Sequence, residues 1–148
     1  MGLTIINATE ELEQLSTMGD CLQEVFFEAS NHLGDCNANL KFITKKEMQS
    51  LNHQFRGKDV CTNVLAFPND TFKEDLFLGD VAICPEYCNQ EALEQNKPIR
   101  DHIIHMLLHA TLHLIGYDHQ SKADAAKMEK LEIEMLARLN IPNPYIVT

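Results

Sequence analysis

The chain has 148 residues and a formal net charge of −10, from 22 acidic and 12 basic residues. Apolar residues make up 45% and charged residues 23%, which is the balance of a globular protein and excludes a disordered or membrane-embedded chain. No apolar run is long enough to cross a bilayer, and the opening residues lack the basic and long apolar parts of a signal peptide. We expect a single cytoplasmic domain over residues 1–148.

The first half of the chain alternates predicted strands and helices. Apolar residues recur at helical spacing between residues 16 and 33, and Leu40 and Phe42 share one face of a β-prone segment. The predicted elements are a strand over 3–7, a helix over 16–33 that stops at Gly34, a strand over 38–44, and a short helix over 45–51 capped by Thr44.

The second half begins with two predicted strands, over 63–67 and 78–84, that form a hairpin-like pair with a long loop. Helices follow over 85–95, 99–115 and 121–139, and Pro142 and Pro144 end the helical run. This order of elements predicts an α+β domain in which helices pack on a small mixed sheet.

The five cysteines are odd in number and irregularly spaced, which predicts reduced thiols and no disulfide framework. Cys84 and Cys88 lie four residues apart and would share a helix face. A thiolate pair without further ligands is a weak indication of a metal site.

Basic residues are concentrated in one segment. Residues 1–37 contain seven acidic residues and no lysine or arginine, whereas residues 41–58 contain five basic residues against Glu47 alone. A local basic patch can hold phosphates even on an acidic protein, although composition alone favours a solvated charged face. The members of this basic segment are Lys41, Lys45, Lys46, Arg56 and Lys58.

Three histidines near the end of the predicted helix over 99–115 have metal-ligand spacing. His109 and His113 are four residues apart and lie on one helix face. Gly116 can adopt the left-handed conformation that ends a helix and turns the chain, so that His119 returns as a third ligand. Three neutral imidazoles on Zn²⁺ leave a fourth position open, as in a catalytic site.

The same spacing with glutamate after the first histidine is the metzincin protease signature, but this chain has Ala110 there. Without that general base, peptide hydrolysis by the metzincin mechanism is disfavoured. His105 falls on the same helical stripe and is interpreted as a residue behind the ligands or in the core. Asp118 either orients an imidazole or stabilises a turn.

Three segments together resemble the YbeY family of metal-dependent endoribonucleases. They are HATLHLIGYDH over residues 109–119, LNHQFRGKDVCTNVLAFP over 51–68 and LGDVAI over 78–83. The resemblance extends over nearly the whole chain from about residue 38. Asn63 and Ala66 stand where this family more often has aspartate and serine, so we assign no acid–base role to position 63.

The resemblance implies a zincin-like fold and a zinc-dependent endoribonuclease specific for single-stranded RNA. It also implies a role in small-subunit (16S) rRNA maturation and ribosome quality control, with ribosomal RNA, the small ribosomal subunit and its proteins as partners. Arg56 and His113 are the expected catalytic residues. Arg56 would stabilise the more highly charged phosphodiester transition state, and the four lysines of the basic segment would hold flanking phosphates.

Two other classes of function remain open. A metalloprotease or amide hydrolase is favoured by the histidine spacing and disfavoured by Ala110. A ribosome accessory factor with a mainly structural zinc is disfavoured by the open fourth position of a three-histidine site. The histidines also tolerate Ni²⁺, Co²⁺ or Cu²⁺ in place of Zn²⁺.

Overall fold

The computed structural model describes residues 2–7, 15, 17–71 and 76–146. These residues form four strands and five α-helices. The strands are β1 (Leu3–Asn7), β2 (Asn37–Phe42), β3 (Val64–Pro68) and β4 (Phe77–Ile83), and the helices are α1 (Gly19–Ser30), α2 (Lys45–Arg56), α3 (Pro85–Glu94), α4 (Ile99–Ile115) and α5 (Lys122–Arg138).

The four strands form one sheet in the order β1-β2-β4-β3. The pairs β1–β2 and β2–β4 are parallel, and β3 pairs with β4 in the antiparallel direction at one edge. The predicted α+β fold with a small mixed sheet is therefore confirmed, as is the predicted pairing of the third and fourth strands. The finer zincin-like classification stays a prediction.

Helix α2 extends five residues beyond its predicted end and finishes at Arg56. Its start is as expected, since the Thr44 side chain accepts a hydrogen bond from the backbone N–H of Glu47 at 3.2 Å. The prediction was too short because apolar periodicity fades after Leu51. The stop signal is Gly57, which has φ 70° and caps the helix in the left-handed conformation.

Helix α1 begins at Gly19, later than predicted, and Ser16 lies outside the described residues. A single 3₁₀ turn over Asn31–Leu33 follows it, and the helical run stops at Gly34 as expected. The boundaries of the remaining elements differ from the predictions by two residues at most.

Helix α4 is the centre of the molecule. Eleven of its 17 residues are buried, and it contacts α1, α3, α5, β3 and β4. A helix that is buried nearly all round has no wide polar face. The polar side chains that it does carry, mainly histidines, therefore face specific partners in the protein or line a pocket.

Gly79 in β4 allows three elements to meet closely. Its φ is 136°, and a Cβ at this position would lie 2.3 Å from the carbonyl oxygen of Phe67 and 3.1 Å from a methyl carbon of Leu114. Both contacts are shorter than ordinary van der Waals distances. Glycine therefore permits β3, β4 and the C-terminal end of α4 to approach each other.

Within the described part of the chain, no helix is both long enough and apolar enough to cross a membrane. All five cysteines are free thiols. Burial raises the pKa of the Cys84 thiol to about 11 and also raises that of Cys88.

Candidate metal centre

The three histidines of the predicted ligand set converge at the C-terminal end of α4. His109 and His113 lie one turn apart on the helix, which ends at Gly116 with φ 116° in the left-handed conformation. The backbone N–H of Tyr117 donates to the carbonyl of Leu112 at 3.0 Å. This helix stop turns the chain, so that His119 returns to the other two imidazoles, as the sequence predicted.

The three rings surround a common space. Ring centroids lie 4.7 Å apart for His109 and His113, 4.8 Å for His109 and His119, and 5.0 Å for His113 and His119. One nitrogen from each ring lies within 4.8 Å of the other two. Such separations are compatible with three imidazole nitrogens around one divalent ion at about 2.0–2.1 Å from each.

A buried carboxylate contacts the nitrogen of His109 that faces away from the other two imidazoles. Glu132 of α5 is fully buried, and its Oε2 lies 3.2 Å from Nδ1 of His109. Its Oε1 lies 2.6 Å from Nε2 of His105 and accepts a hydrogen bond from the Tyr145 hydroxyl at 2.8 Å. Nδ1 of His109 thus faces the carboxylate, and its Nε2 lies on the side of His113.

The electrostatics favour a neutral His113 in front and an ionised Glu132 behind. Burial by itself would raise the pKa of Glu132, but hydrogen bonds from His105 and His109 outweigh it and lower the pKa to about 2. Burial lowers the pKa of His113, and the neighbouring His109 and His119 lower it further. Neutral His113 keeps a lone pair for a cation.

These features pass a chemical test for a divalent transition-metal site. The Nε2 atoms of His109 and His113 face each other at 3.2 Å. Glu132 fixes the tautomer of His109, which leaves its Nε2 as an acceptor. The Nε2 lone pair of His113 is available to the same ion when His113 carries its proton on Nδ1. Three imidazoles with a carboxylate behind one of them is the donor set that zinc and its neighbours prefer.

The triad lies in the wall of a large pocket between α4 and the edge strand β3, with a volume of about 970 Å³. Arg56, at the last turn of α2, also lines this pocket. Its side chain forms no ion pair with any described residue, so the guanidinium is available for an anionic ligand. The structure thus brings Arg56 to the same pocket as the histidines.

The lysines of the basic segment are placed differently. None of Lys41, Lys45, Lys46 and Lys58 lines the pocket, and the ammonium group of Lys45 donates to Gln90 at 3.3 Å. The second cation in the pocket wall is Lys97, which the sequence analysis did not select. The proposed contacts of the four lysines with RNA stay a prediction for surfaces outside the pocket.

Four histidines follow one another along α4, namely His102, His105, His109 and His113, and we call them the histidine stripe. The two in its N-terminal half face carboxylates. Nε2 of His102 lies 2.9 Å from Oε1 of Glu91, which also accepts a hydrogen bond from the Asn63 side-chain amide at 3.0 Å. Cys88, Glu91 and His102 have donor atoms close enough for an ion. However, the Cys88 thiol donates to the Asn63 carbonyl at 3.8 Å, and Oε1 of Glu91 already contacts both the Asn63 amide and His102 Nε2, so this oxygen needs no cation. Nδ1 of His102 is buried and has no hydrogen-bond partner among the described residues.

Other sequence expectations have plain outcomes. His105 pairs with Glu132 behind the triad, as interpreted from its position on the stripe. The Asp118 carboxylate accepts the backbone N–H of His119 at 2.7 Å, which is the turn role. Ala110 is buried beside the triad and supplies no general base. Cys84 and Cys88 do not converge as ligands of one site in the described residues.

The sequence analysis missed Glu132, Glu91, Lys97 and Tyr145. Glu132 had a detectable signal, because it is a glutamate on the apolar stripe of α5, between Met128 and Leu136 at helical spacing. A charged residue in a core position is almost always paired. The other three come from separate elements and approach α4 only in the folded chain.

An α+β fold whose pocket contains three convergent imidazoles and a guanidinium without an ion pair in the described part of the chain defines a candidate metal-dependent hydrolase. Comparison with known proteins specifies the family. The model of the family Endoribonuclease YbeY matches residues 4–140. The chain is 44% identical to an Endoribonuclease YbeY of Francisella tularensis subsp. holarctica, covering 85% of this chain and 80% of the relative. The chain belongs to this family.

Two further comparisons agree. An Endoribonuclease YbeY of Francisella tularensis subsp. novicida is 39% identical, over 99% of this chain and 93% of the relative. A solution structure of a Thermotoga maritima protein aligns with a TM-score of 0.62 at 28% identity, covering 93% of this chain and 91% of the other. The family resemblance found in the sequence is therefore confirmed.

Proposed function

We propose that this protein is a zinc-dependent endoribonuclease that cleaves single-stranded RNA in the pocket between α4 and β3. Family membership supports the reaction class. The observation that carries the residue assignment is the convergence of His109, His113 and His119 in a pocket whose wall also contains Arg56, which has no ion pair with any described residue. In this assignment the three histidines hold the ion, and Arg56 and His113 are catalytic.

Each residue has a separate task in the proposed mechanism. A divalent ion, when bound, supplies Lewis-acid chemistry at a phosphoryl oxygen. Arg56 binds a non-bridging phosphate oxygen and stabilises the negative charge that grows in the pentacoordinate transition state. Glu132 holds His109 in the tautomer and orientation that direct Nε2 to the site.

The biological role in this proposal is maturation of small-subunit 16S rRNA and ribosome quality control in the cytoplasm. Its support is the family resemblance, together with a pocket that is large enough for several nucleotide groups and has two cations in its wall. The small ribosomal subunit and its proteins are the proposed partners. An acidic chain with net charge −10 needs such local cations to hold a polyanion.

The first experiment combines elemental analysis with cleavage of a single-stranded RNA, for the wild type and for Arg56→Ala. We expect about one zinc per chain in both proteins. Arg56→Ala should reduce cleavage by about 10²–10³-fold, because one transition-state contact is lost while the ion stays. Arg138→Ala is the matched control. This exposed arginine does not line the pocket, and its guanidinium lies 3.6 Å from the Glu28 carboxylate.

Several outcomes would overturn the assignment. A wild type that binds zinc but cleaves no RNA would favour an accessory factor with a structural ion. Cleavage of peptides by the same zinc-loaded protein would favour the amide-hydrolase alternative, which Ala110 disfavours. Full activity of Arg56→Ala would remove Arg56 from the mechanism.

A further inference from the structure

The pocket contains a second polar centre, on the N-terminal side of the histidine triad, to which the proposed mechanism assigns no task. It consists of Asn63 before β3, Glu91 on α3 and His102 on α4, all of which line the pocket. His102 precedes His109 by seven residues, which is about 10 Å along the helix axis. If the reacting phosphate of an RNA ligand lies at the triad, a neighbouring nucleotide of the same ligand would therefore contact this centre.

The geometry of Glu91 is that of a fixed acceptor. Oε1 is held from two directions, by the Asn63 amide at 3.0 Å and by His102 Nε2 at 2.9 Å. No described residue donates a hydrogen bond to Oε2, and the side chain is 24% exposed. An anchored carboxylate with one oxygen left for the pocket is oriented before a ligand arrives, which reduces the entropy lost on binding.

The charge of this acceptor restricts the ligand. A carboxylate repels phosphate, so the group that contacts Oε2 must be a neutral hydrogen-bond donor. In RNA such donors are the ribose 2′-hydroxyl and the N–H groups of the bases. Lys97 lines the same part of the pocket and supplies the cation that a phosphate of the same nucleotide needs.

We propose that Glu91, anchored by Asn63 and His102, forms a nucleotide-binding subsite in which Oε2 accepts a hydrogen bond from a nucleotide adjacent to the scissile phosphate. The inference rests on the proposed RNA substrate. In this proposal Glu91 selects the flanking nucleotide, or selects ribose over deoxyribose, although it contacts neither the ion nor the reacting phosphate.

The test is binding of fluorescent single-stranded oligonucleotides to chelator-treated, metal-free protein, measured by anisotropy. The proteins are the wild type, Glu91→Gln and the matched control Glu94→Gln, which removes the same charge from an exposed position on the same helix. The probes are oligouridine, oligodeoxyuridine with the same base, and ribose oligomers of adenine and cytosine.

The direction of the effect is diagnostic. If Glu91 only repels RNA, its neutralisation strengthens binding, as we expect to a small extent for Glu94→Gln. If Oε2 accepts a hydrogen bond, Glu91→Gln weakens RNA binding by about tenfold, because Asn63 and His102 retain the glutamine carbonyl oxygen and the amide NH2, itself a donor, faces the donor of the ligand. Binding by Glu91→Gln that equals or exceeds wild-type binding overturns the proposal.

The probes identify the donor. A 2′-hydroxyl donor predicts that the wild type prefers oligouridine to oligodeoxyuridine about tenfold and that Glu91→Gln loses this preference. A base donor predicts equal binding of those two probes and a base preference that disappears in Glu91→Gln. A wild type indifferent to both sugar and base overturns the proposal without any variant.

Two controls distinguish a loss of the subsite from misfolding and from a loss of catalysis. Thermal unfolding of each variant checks the fold, and Glu91→Asp, which keeps the charge but withdraws Oε2 by one methylene, gives the same expected loss if Glu91→Gln is unstable. RNA cleavage by the metal-loaded wild type is measured independently. Cleavage with no effect of Glu91 on binding overturns the subsite alone, whereas the absence of both cleavage by the metal-loaded protein and RNA binding overturns the subsite and the proposed function together.

Discussion

Histidines occur at both ends of α4, but the side chains that surround them differ between the two ends. At the N-terminal end, His102 and His105 each face a carboxylate, from Glu91 and Glu132. At the C-terminal end, His109, His113 and His119 face each other. The first two imidazoles each contact a carboxylate, whereas the other three share one space in which a cation can bind, and His109 does both because its Nδ1 also contacts Glu132. The surroundings, and not the residue type, therefore separate the imidazoles that contact only a carboxylate from those that share a candidate ion site.

The largest effect should come from His113→Ala, at the C-terminal end. We expect metal content to fall from about one ion per chain to nearly none. RNA cleavage should fall about a thousandfold or more, since the ion contributes several kcal/mol of transition-state stabilisation. Elemental analysis and gel-based cleavage measure the two effects. Metal bound with wild-type affinity in His113→Ala would contradict the ligand assignment.

Glu132→Gln should affect both ends of the stripe, because this carboxylate contacts His105 and His109. We expect metal affinity to fall about 10–100-fold as the hydrogen bond behind His109 weakens. Competition with a chromophoric chelator measures this affinity. Glu134→Gln on the exposed face of α5 is the control, and an equal loss in both variants would show that only net charge matters.

His102→Ala should affect stability and leave the metal site intact. His102 is 3% exposed and is a partner of Glu91, so its removal leaves that carboxylate with one donor fewer and creates a cavity. We expect a loss of about 1–3 kcal/mol in the free energy of unfolding, measured by urea denaturation of metal-free protein. A changed metal affinity in this variant would contradict the separation between the two ends.

The smallest predicted effect is a pH dependence. Burial lowers the pKa of His102 below its usual 6.5, so the unfolded chain binds more protons than the folded chain below that pH. The contribution of His102 to stability is therefore complete above pH 6.5 and is lost as the pH falls, by at most about 1.4 kcal/mol per pH unit.

Comparison of metal-free wild type and His102→Asn at pH 7.5, 6.5 and 5.5 isolates this contribution, because His113, whose pKa is also lowered, is present in both proteins. We expect a shallower decline in the variant. Parallel stability curves would mean that His102 titrates alike in the folded and unfolded states.

Sequence patterns predicted the elements well where local chemistry determines them. Thr44 caps α2, Gly116 ends α4 in the left-handed conformation, and Leu40 and Phe42 share the buried face of β2. These features depend on residues within one turn or one strand. The convergence of His109, His113 and His119 was predictable for the same reason, since the helix and its stop bring the three rings together.

The remainder of the site depends on contacts between distant segments. Glu91 and Glu132 approach α4 from two other helices, and nothing in the spacing of their neighbours indicates which histidine each will face. The end of α2 was misjudged because Asn52 is stabilised by tertiary contact, with its amide donating to the Val60 carbonyl at 2.9 Å. Apolar periodicity contains no information on such a bond.

The missing side chain at Gly79 permits the close approach of the edge strand β3 to the end of α4. The backbone at this residue lies between the Phe67 carbonyl of β3 and the Leu114 side chain, which is adjacent to His113. A single methyl group there would act as a spacer and push the edge strand away from the histidine helix. The spacing between the strand and the helix that border the pocket therefore depends on a residue that is not itself part of the pocket wall.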